Sequence, residues 1–170
     1  MNYRWIGAAL IIAACGGTGL SMAMADKREE QLLHQLSESL AYMASELEFR
    51  VTPLPQLCRK TAACSSGTIQ KLFLSMAKEL EEQTFPLASD CMRSALEQIN
   101  DLPTSVRTLC RELGKTLGQL DLTGQLQGLS RVEDLCNHRC KRMENNREQR
   151  LRSYRTLSLC AGAALAILLL

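Results

Sequence analysis

A chain of 170 residues with a formal charge of +2 has the length of one domain, and its charge total alone gives no case for a nucleic-acid partner. Aromatic residues make up 4% and prolines number 4, while Leu, Ala, Glu, Gln and Arg are common. That composition favours helices, whose interiors accept unbranched side chains at little entropic cost.

The first element is apolar. Trp5 to Ala25 holds no charged residue, close to the ~20 positions that cross a hydrocarbon core. Tyr3 and Trp5 stand at one end, where aromatic rings favour the membrane interface, and Asp26, Lys27 and Arg28 close the other. A cleaved signal peptide is the rival reading. Ala23-Met24-Ala25 fits its small-x-small site, and Ile12-Ala13-Ala14-Cys15 resembles a lipidation site.

A helix follows from Lys27 to Val51, with Leu32, Leu33, Leu36, Leu40, Met43, Ala44, Leu47 and Val51 at steps of three and four. Thr52-Pro53-Leu54-Pro55 ends it, because the residue before a proline avoids helical geometry. Pro55 opens a short helix facing Leu57, Cys58 and Ala62 inward, and Ser65-Ser66-Gly67 breaks the chain again. The next helix, about Thr68 to Gln83, puts Ile69, Leu72, Phe73, Met76 and Leu80 on one face, and Phe85-Pro86 punctuates it. A fourth uses Leu87, Cys91, Ala95 and Ile99 beside Met92 and Leu96. After Asn100-Asp101-Leu102-Pro103, a fifth uses Val106, Leu109, Cys110, Leu113 and Leu117. Gly114, Gly118 and Asp121 mark the following break. A long last helix starts near Leu122 on Leu126, Leu129, Val132, Leu135, Cys136 and Met143, with Asn145-Asn146 as its weak point. No stretch has the period-two alternation of a strand.

Leu157 to Leu170 is uncharged and apolar on every face. As a helix its 14 residues span about 21 Å, and snorkelling by Arg155 with Tyr154 extends the reach. Arg139, Lys141, Arg142, Arg147, Arg150, Arg152 and Arg155 precede it. This second apolar end favours an anchor over a signal at the first. Basic flanks stay on the cytoplasmic side, so the chain is expected to form a hairpin. The expected fold is all-α: an antiparallel bundle of five or six helices over 26–155, between transmembrane helices at 1–25 and 156–170.

The cysteines are Cys15, Cys58, Cys64, Cys91, Cys110, Cys136, Cys140 and Cys160. Their even number permits disulfides in an exported protein. Cys15 and Cys160 lie in the apolar ends, however, and Cys91 and Cys110 at apolar helical positions, so reduced thiols are expected.

Constellations that could carry chemistry are weak. Gly114-Lys115-Thr116 lacks the earlier glycine of a phosphate loop, where Leu109 stands instead. In Cys136-x-His138-x-Cys140 the cysteines share a helix face and the histidine points elsewhere. His34 has no nucleophile beside it. Glu46, Glu48, Glu79, Glu81 and Glu82 are expected on solvated faces. The arginine run lacks the aromatics that stack bases, and anionic lipid suits it better. No enzyme active site, metal, cofactor, small-molecule substrate or nucleic acid is expected.

Three features in order carry a resemblance: Thr52-Pro53-Leu54-Pro55; then Leu113-Gly114-x-x-Leu117-Gly118-x-x-Asp121-x-x-x-Gln125; then Tyr154-Arg155-x-Leu157 before an Ala/Gly/Leu-rich tail. Over essentially its whole length the chain resembles the stage III sporulation protein AB family. It departs from that pattern in having no Trp within 86–100, where Cys91 or Met92 takes the place. The resemblance implies a six-helix platform similar to the inner-membrane subunit of type II secretion and type IV pilus machines. It further implies a channel complex between mother cell and forespore, a cytoplasmic ATPase as neighbour, and other channel subunits in the intermembrane space. The main domain would then be cytoplasmic, in the mother-cell membrane around the forespore. Gly114, Gly118, Asp121 and Gln125 carry over as a close helix–helix turn with a capping aspartate, or as a partner contact. The alternative is an exported or lipidated helical protein freed from its N-terminal segment.

Overall fold

Six α-helices and no strand occupy the described residues. The computed structural model describes the backbone of residues 3–50, 52–118 and 121–169, and the side chains of residues 24–50, 52–118 and 121–145. The helices are α1 (Tyr3–Arg50), α2 (Leu54–Cys64), α3 (Gly67–Glu81), α4 (Ala88–Glu97), α5 (Thr104–Thr116) and α6 (Leu122–Leu169). Two compact units result: Glu29–Cys140, and Met1–Arg28 with Lys141–Leu170. The second contains the beginning of α1 and the end of α6.

The transmembrane segments expected at 1–25 and 156–170 fall almost wholly outside the residues whose side chains are described. Among the described residues no helix is long and apolar enough to cross a membrane. The helical backbone of α6 runs through Asn145-Asn146 without a break.

Within Glu29–Cys140, α1 supplies the spine. Leu33, Leu36, Leu40 and Met43 are wholly buried, at the spacing that stacks side chains on one helix face. Polar partners on four other elements fix its position. Glu29 accepts from Ser105 of α5, and Ser37 Oγ donates to Asn137 Oδ1 of α6 at 3.1 Å. Ser39 and Ser65 share a hydrogen bond of 2.8 Å at the α2–α3 turn, and Lys60 of α2 donates to Glu46 at 2.7 Å. Glu29 and Ser37 near the start of α1's buried run therefore lie beside the start of α5 and the 137 region of α6. The places where the chain enters this unit, Glu29, and leaves it, Cys140, belong to the same end.

The shorter helices pack in sequence, α2 on α3, α3 on α4 and α4 on α5, as short connections between antiparallel neighbours require. Pro53 (φ −56°) and Pro55 set the start of α2. Gly67, with φ +59°, makes the turn into α3. Arg107 closes the end of α4: its guanidinium donates to the carbonyls of Leu96 and Ile99, each at 2.7 Å, satisfying oxygens that a helix end leaves open.

Two leucines read as core are not. Leu87 is exposed because it is the extended residue before α4 (φ −116°), outside the helical period. Leu135 is exposed because α6 buries Leu129, Val132 and Cys136, and a residue adjacent to Cys136 is turned about 100° away from it.

The end of α3 holds the one left-handed non-glycine residue among those described, Gln83 at φ +50°. Thr84 N–H there donates to Glu79 O at 3.3 Å, the bond of a helix terminus that glycine normally makes. A side chain in this conformation costs about 1–2 kcal/mol, and glycine loses about 0.5–1 kcal/mol more backbone entropy on folding. Gln83→Gly is therefore expected to raise stability by about 0.5–1 kcal/mol, read as a higher thermal midpoint by circular dichroism; a lower midpoint would exclude strain at this turn.

Candidate functional site

The residues singled out in the sequence converge where α1 ends, α2 begins, α3 hands over to α4 and α5 hands over to α6. Gly114 lets α5 approach α4 closely. A Cβ there would lie 2.7 Å from Met92 Cβ and 3.3 Å from Ser89 Cα. Met92, wholly buried, fills the contact. Leu117 N–H still bonds Leu113 O at 3.1 Å, and Gly118 at φ +78° then turns the chain out of the helix. Asp121 Oδ1 accepts the Gly124 N–H at 3.1 Å, the bond of a helix N-cap. Gln125 N–H bonds Asp121 O at 2.9 Å and opens the α6 ladder.

Gly118 also joins the two sequence signatures in space. A Cβ at this position would be 3.6 Å from Leu54 Cδ2 and 3.5 Å from Ala88 Cβ. Leu54 of the Thr-Pro-Leu-Pro stretch and the α5–α6 turn are thus neighbours. Behind them Glu46 accepts from Thr52 Oγ1 at 3.2 Å as well as from Lys60. The Lys60 hydrogen bond holds the Glu46 carboxyl below the usual carboxylate range. Glu79 links α3 to α4 by accepting from Ser94 and Gln98, each at 3.0 Å, and Glu81 pairs with Arg59 of α2. Glu81 is exposed, as expected, while Glu46 and Glu79 are half-buried, and all three bridge helices. Gly128 was not singled out by sequence either. A Cβ on it would meet Thr116 Cγ2 at 2.7 Å, so α6 crosses α5 there as closely as α5 crosses α4.

The remaining candidates do not assemble. Lys115 pairs with Glu112 at 2.7 Å and Thr116 Oγ1 donates to Leu113 O at 2.8 Å, both within α5, so Gly114-Lys115-Thr116 is a helix end. Cys136 is buried, His138 exposed and Cys140 half-buried. Among the described residues no group of three His, Cys, Asp or Glu side chains could hold a metal. His34 is exposed beside Glu38, at 3.5 Å. An open cleft of about 310 Å³ between α1 and the α2–α3 turn, lined by Glu38, Tyr42, Cys64 and three serines, gave no signal in the sequence because its two sides lie some thirty residues apart. Burial, then Glu46 and Cys64 beside it, raise the Tyr42 phenol above its usual range.

From residue 4 to residue 170 the chain matches the family model of stage III sporulation protein AB. The chain belongs to the stage III sporulation protein AB family. Membership gives it a role in sporulation. No curated protein matches it. A solved structure described as stage III sporulation protein AB is similar, with a TM-score of 0.64 at 18% identity, over 72% of this chain and 98% of that one. At such identity the likeness is one of fold.

Two outcomes follow for this family member. Gly114→Ala gains about 1 kcal/mol of helix propensity but drives a methyl group into Met92 Cβ and the α4 backbone, an overpacking cost of about 1–3 kcal/mol. A net loss of up to about 2 kcal/mol is expected in urea unfolding; a gain would mean that α4 yields freely. The second concerns thiols, all six described cysteines being free. Burial, with Cys91 and Cys136 as respective neighbours, pushes Cys58 and Cys110 up from 9.0 to about 12. The folded state thus keeps its thiols protonated where the unfolded chain ionises. Their contribution to stability is complete below pH 9.0, and it is lost as pH rises toward about 12. Maleimide at neutral pH is expected to modify exposed Cys64 first and to spare Cys58 and Cys110 until unfolding, mapped by peptide mass; equal rates would contradict the buried assignment.

Proposed function

We propose that this chain is a non-enzymatic, membrane-anchored platform subunit of a channel complex joining mother cell and forespore during endospore formation. Its main domain lies in the mother-cell cytoplasm, with a cytoplasmic sporulation ATPase and other channel subunits as partners. The observation that carries the reading is the common end of Glu29 and Cys140, set by the Ser37–Asn137 bond between antiparallel α1 and α6. Two apolar segments that continue from one end of a bundle can enter one face of one bilayer. Trp5–Ala25 and Leu157–Leu170 have the composition for it. The arginines between Arg139 and Arg155 hold the bundle on the inner side, by the preference of basic flanks and by attraction to anionic lipid.

A platform of this kind works by position. The bundle transmits force or registration from a nucleotide-driven neighbour to the membrane segments, and it needs rigid helix contacts more than a reactive group. The glycine crossings at Gly114 and Gly128, and the inter-helix bridges from Glu46, Glu79 and Glu81, suit that purpose.

Cys64 reports the sidedness. In sealed spheroplasts expressing the full chain, a membrane-impermeant maleimide is expected to leave the Cys64 peptide unmodified, and to label it once the membrane is opened. Labelling in sealed spheroplasts at the rate seen after lysis would put the bundle outside, and the platform reading would give way to an exported protein.

A further inference from the structure

The overall charge of +2 conceals a partition along the chain. Between Glu29 and Cys140, eleven Lys and Arg stand against fifteen Asp and Glu, a net −4. Residues 26–28 and 141–155, the two stretches joined to that unit, hold eight basic against three acidic side chains, a net +5. The basic side chains of the bundle are also largely committed within it. Arg50, Arg59, Lys60, Lys78, Arg93 and Lys115 each pair with a carboxylate of the same unit. Arg107 is taken up by the carbonyls of Leu96 and Ile99. The other four, Lys71, Arg111, Arg131 and Arg139, are outnumbered by the ten carboxylates outside those pairs, of which Glu48, Glu97 and Asp134 are exposed. Towards an outside ion the bundle is acidic.

We propose that anionic lipid headgroups bind the neck formed by residues 26–28 and 141–155 and repel the Glu29–Cys140 bundle, which is thereby kept off the bilayer. The inference rests on the platform reading, which puts both stretches of the neck beside a membrane. Each basic residue near an anionic surface gains about fivefold in binding, and the gain fades beyond a Debye length of about 8 Å. The same field acts on the bundle with the opposite sign, because like charges repel. A neutral or basic bundle next to such a neck would settle on the headgroups and bury one side there. An acidic one leaves its surface to water and to soluble partners. The sign change between Arg28 and Glu29, and between Cys140 and Lys141, sets where lipid contact ends.

The test uses the full chain in lipid nanodiscs, with a donor dye on Cys64, the exposed thiol among the described cysteines, and an acceptor dye on the headgroups. At low salt, energy transfer is expected to be weaker in phosphatidylglycerol than in phosphatidylcholine, and about 1 M salt is expected to abolish the difference by screening. The triple variant Glu48→Gln, Glu97→Gln, Asp134→Asn takes the bundle from −4 to −1 and is expected to lose most of that difference. All three side chains are exposed, and changes at such positions leave the fold intact. In nanodiscs of mixed lipid, phosphatidylglycerol recovered with the wild type is expected to exceed its share of the mixture. Arg147→Gln, Arg150→Gln, Arg152→Gln is expected to return it to that share. Stronger transfer in phosphatidylglycerol would put the bundle on the lipid and overturn the proposal. Transfer indifferent to lipid charge, or a neck that enriches no phosphatidylglycerol, would overturn it as well, and these failures leave the platform reading standing. A chain stripped from vesicles by an alkaline wash would overturn the platform reading, and this inference with it.

Discussion

The rest of the bundle depends on the burial of one face of α1. Leu33, Leu36, Leu40 and Met43 lose all contact with solvent, each such side chain contributing about 1.5–3 kcal/mol, and no short helix in the chain could hold its place without them. Helices of 10 to 15 residues such as α2 through α5 are marginal alone, because nucleation costs more than a few turns return. They persist because each packs on its neighbour, α2 on α3, α3 on α4 and α4 on α5, while α1 buries its apolar face in the same unit. Its polar neighbours then fix position along the axis: Ser105 at one level, Asn137 and Ser65 at the next, Lys60 at the last.

That arrangement has a geometric consequence. Within Glu29–Cys140, a spine entering at one end and a last helix returning beside it put Glu29 and Cys140 at one end and the turns around Thr52 and Gly118 at the other. The three turns there are tightly built: Asp121 caps α6, Gly118 passes between Leu54 and Ala88, and Glu46 ties Thr52 to Lys60.

The sequence conveyed this plan unevenly, for physical reasons. The α1 stripe was legible because its period is local, and so were the helix stops at Thr52-Pro53 and Gly118, where backbone geometry demands particular residues. Leu87 was misplaced because periodicity cannot tell the last residue before a helix from the first within it. Leu135 was misplaced because Cys136, its neighbour, competes for the same inward face. Gly114 and Asp121 announced themselves as a helix end and a cap; that Gly114 meets Met92, or that Gly128 meets Thr116, rests on pairings between helices that no local pattern encodes. The bridging carboxylates Glu46, Glu79 and Glu81 resembled ordinary surface charge for the same reason.

Hydrogen exchange of the full chain in nanodiscs, followed by mass spectrometry, tests most directly whether α1 is the spine. If it is, amides of residues 32–47 and 129–136 exchange last and together, through a single opening that also releases α2 to α5. Early exchange over 32–47, while α2 to α5 stay protected, would show that the short helices stand without it and would contradict the account.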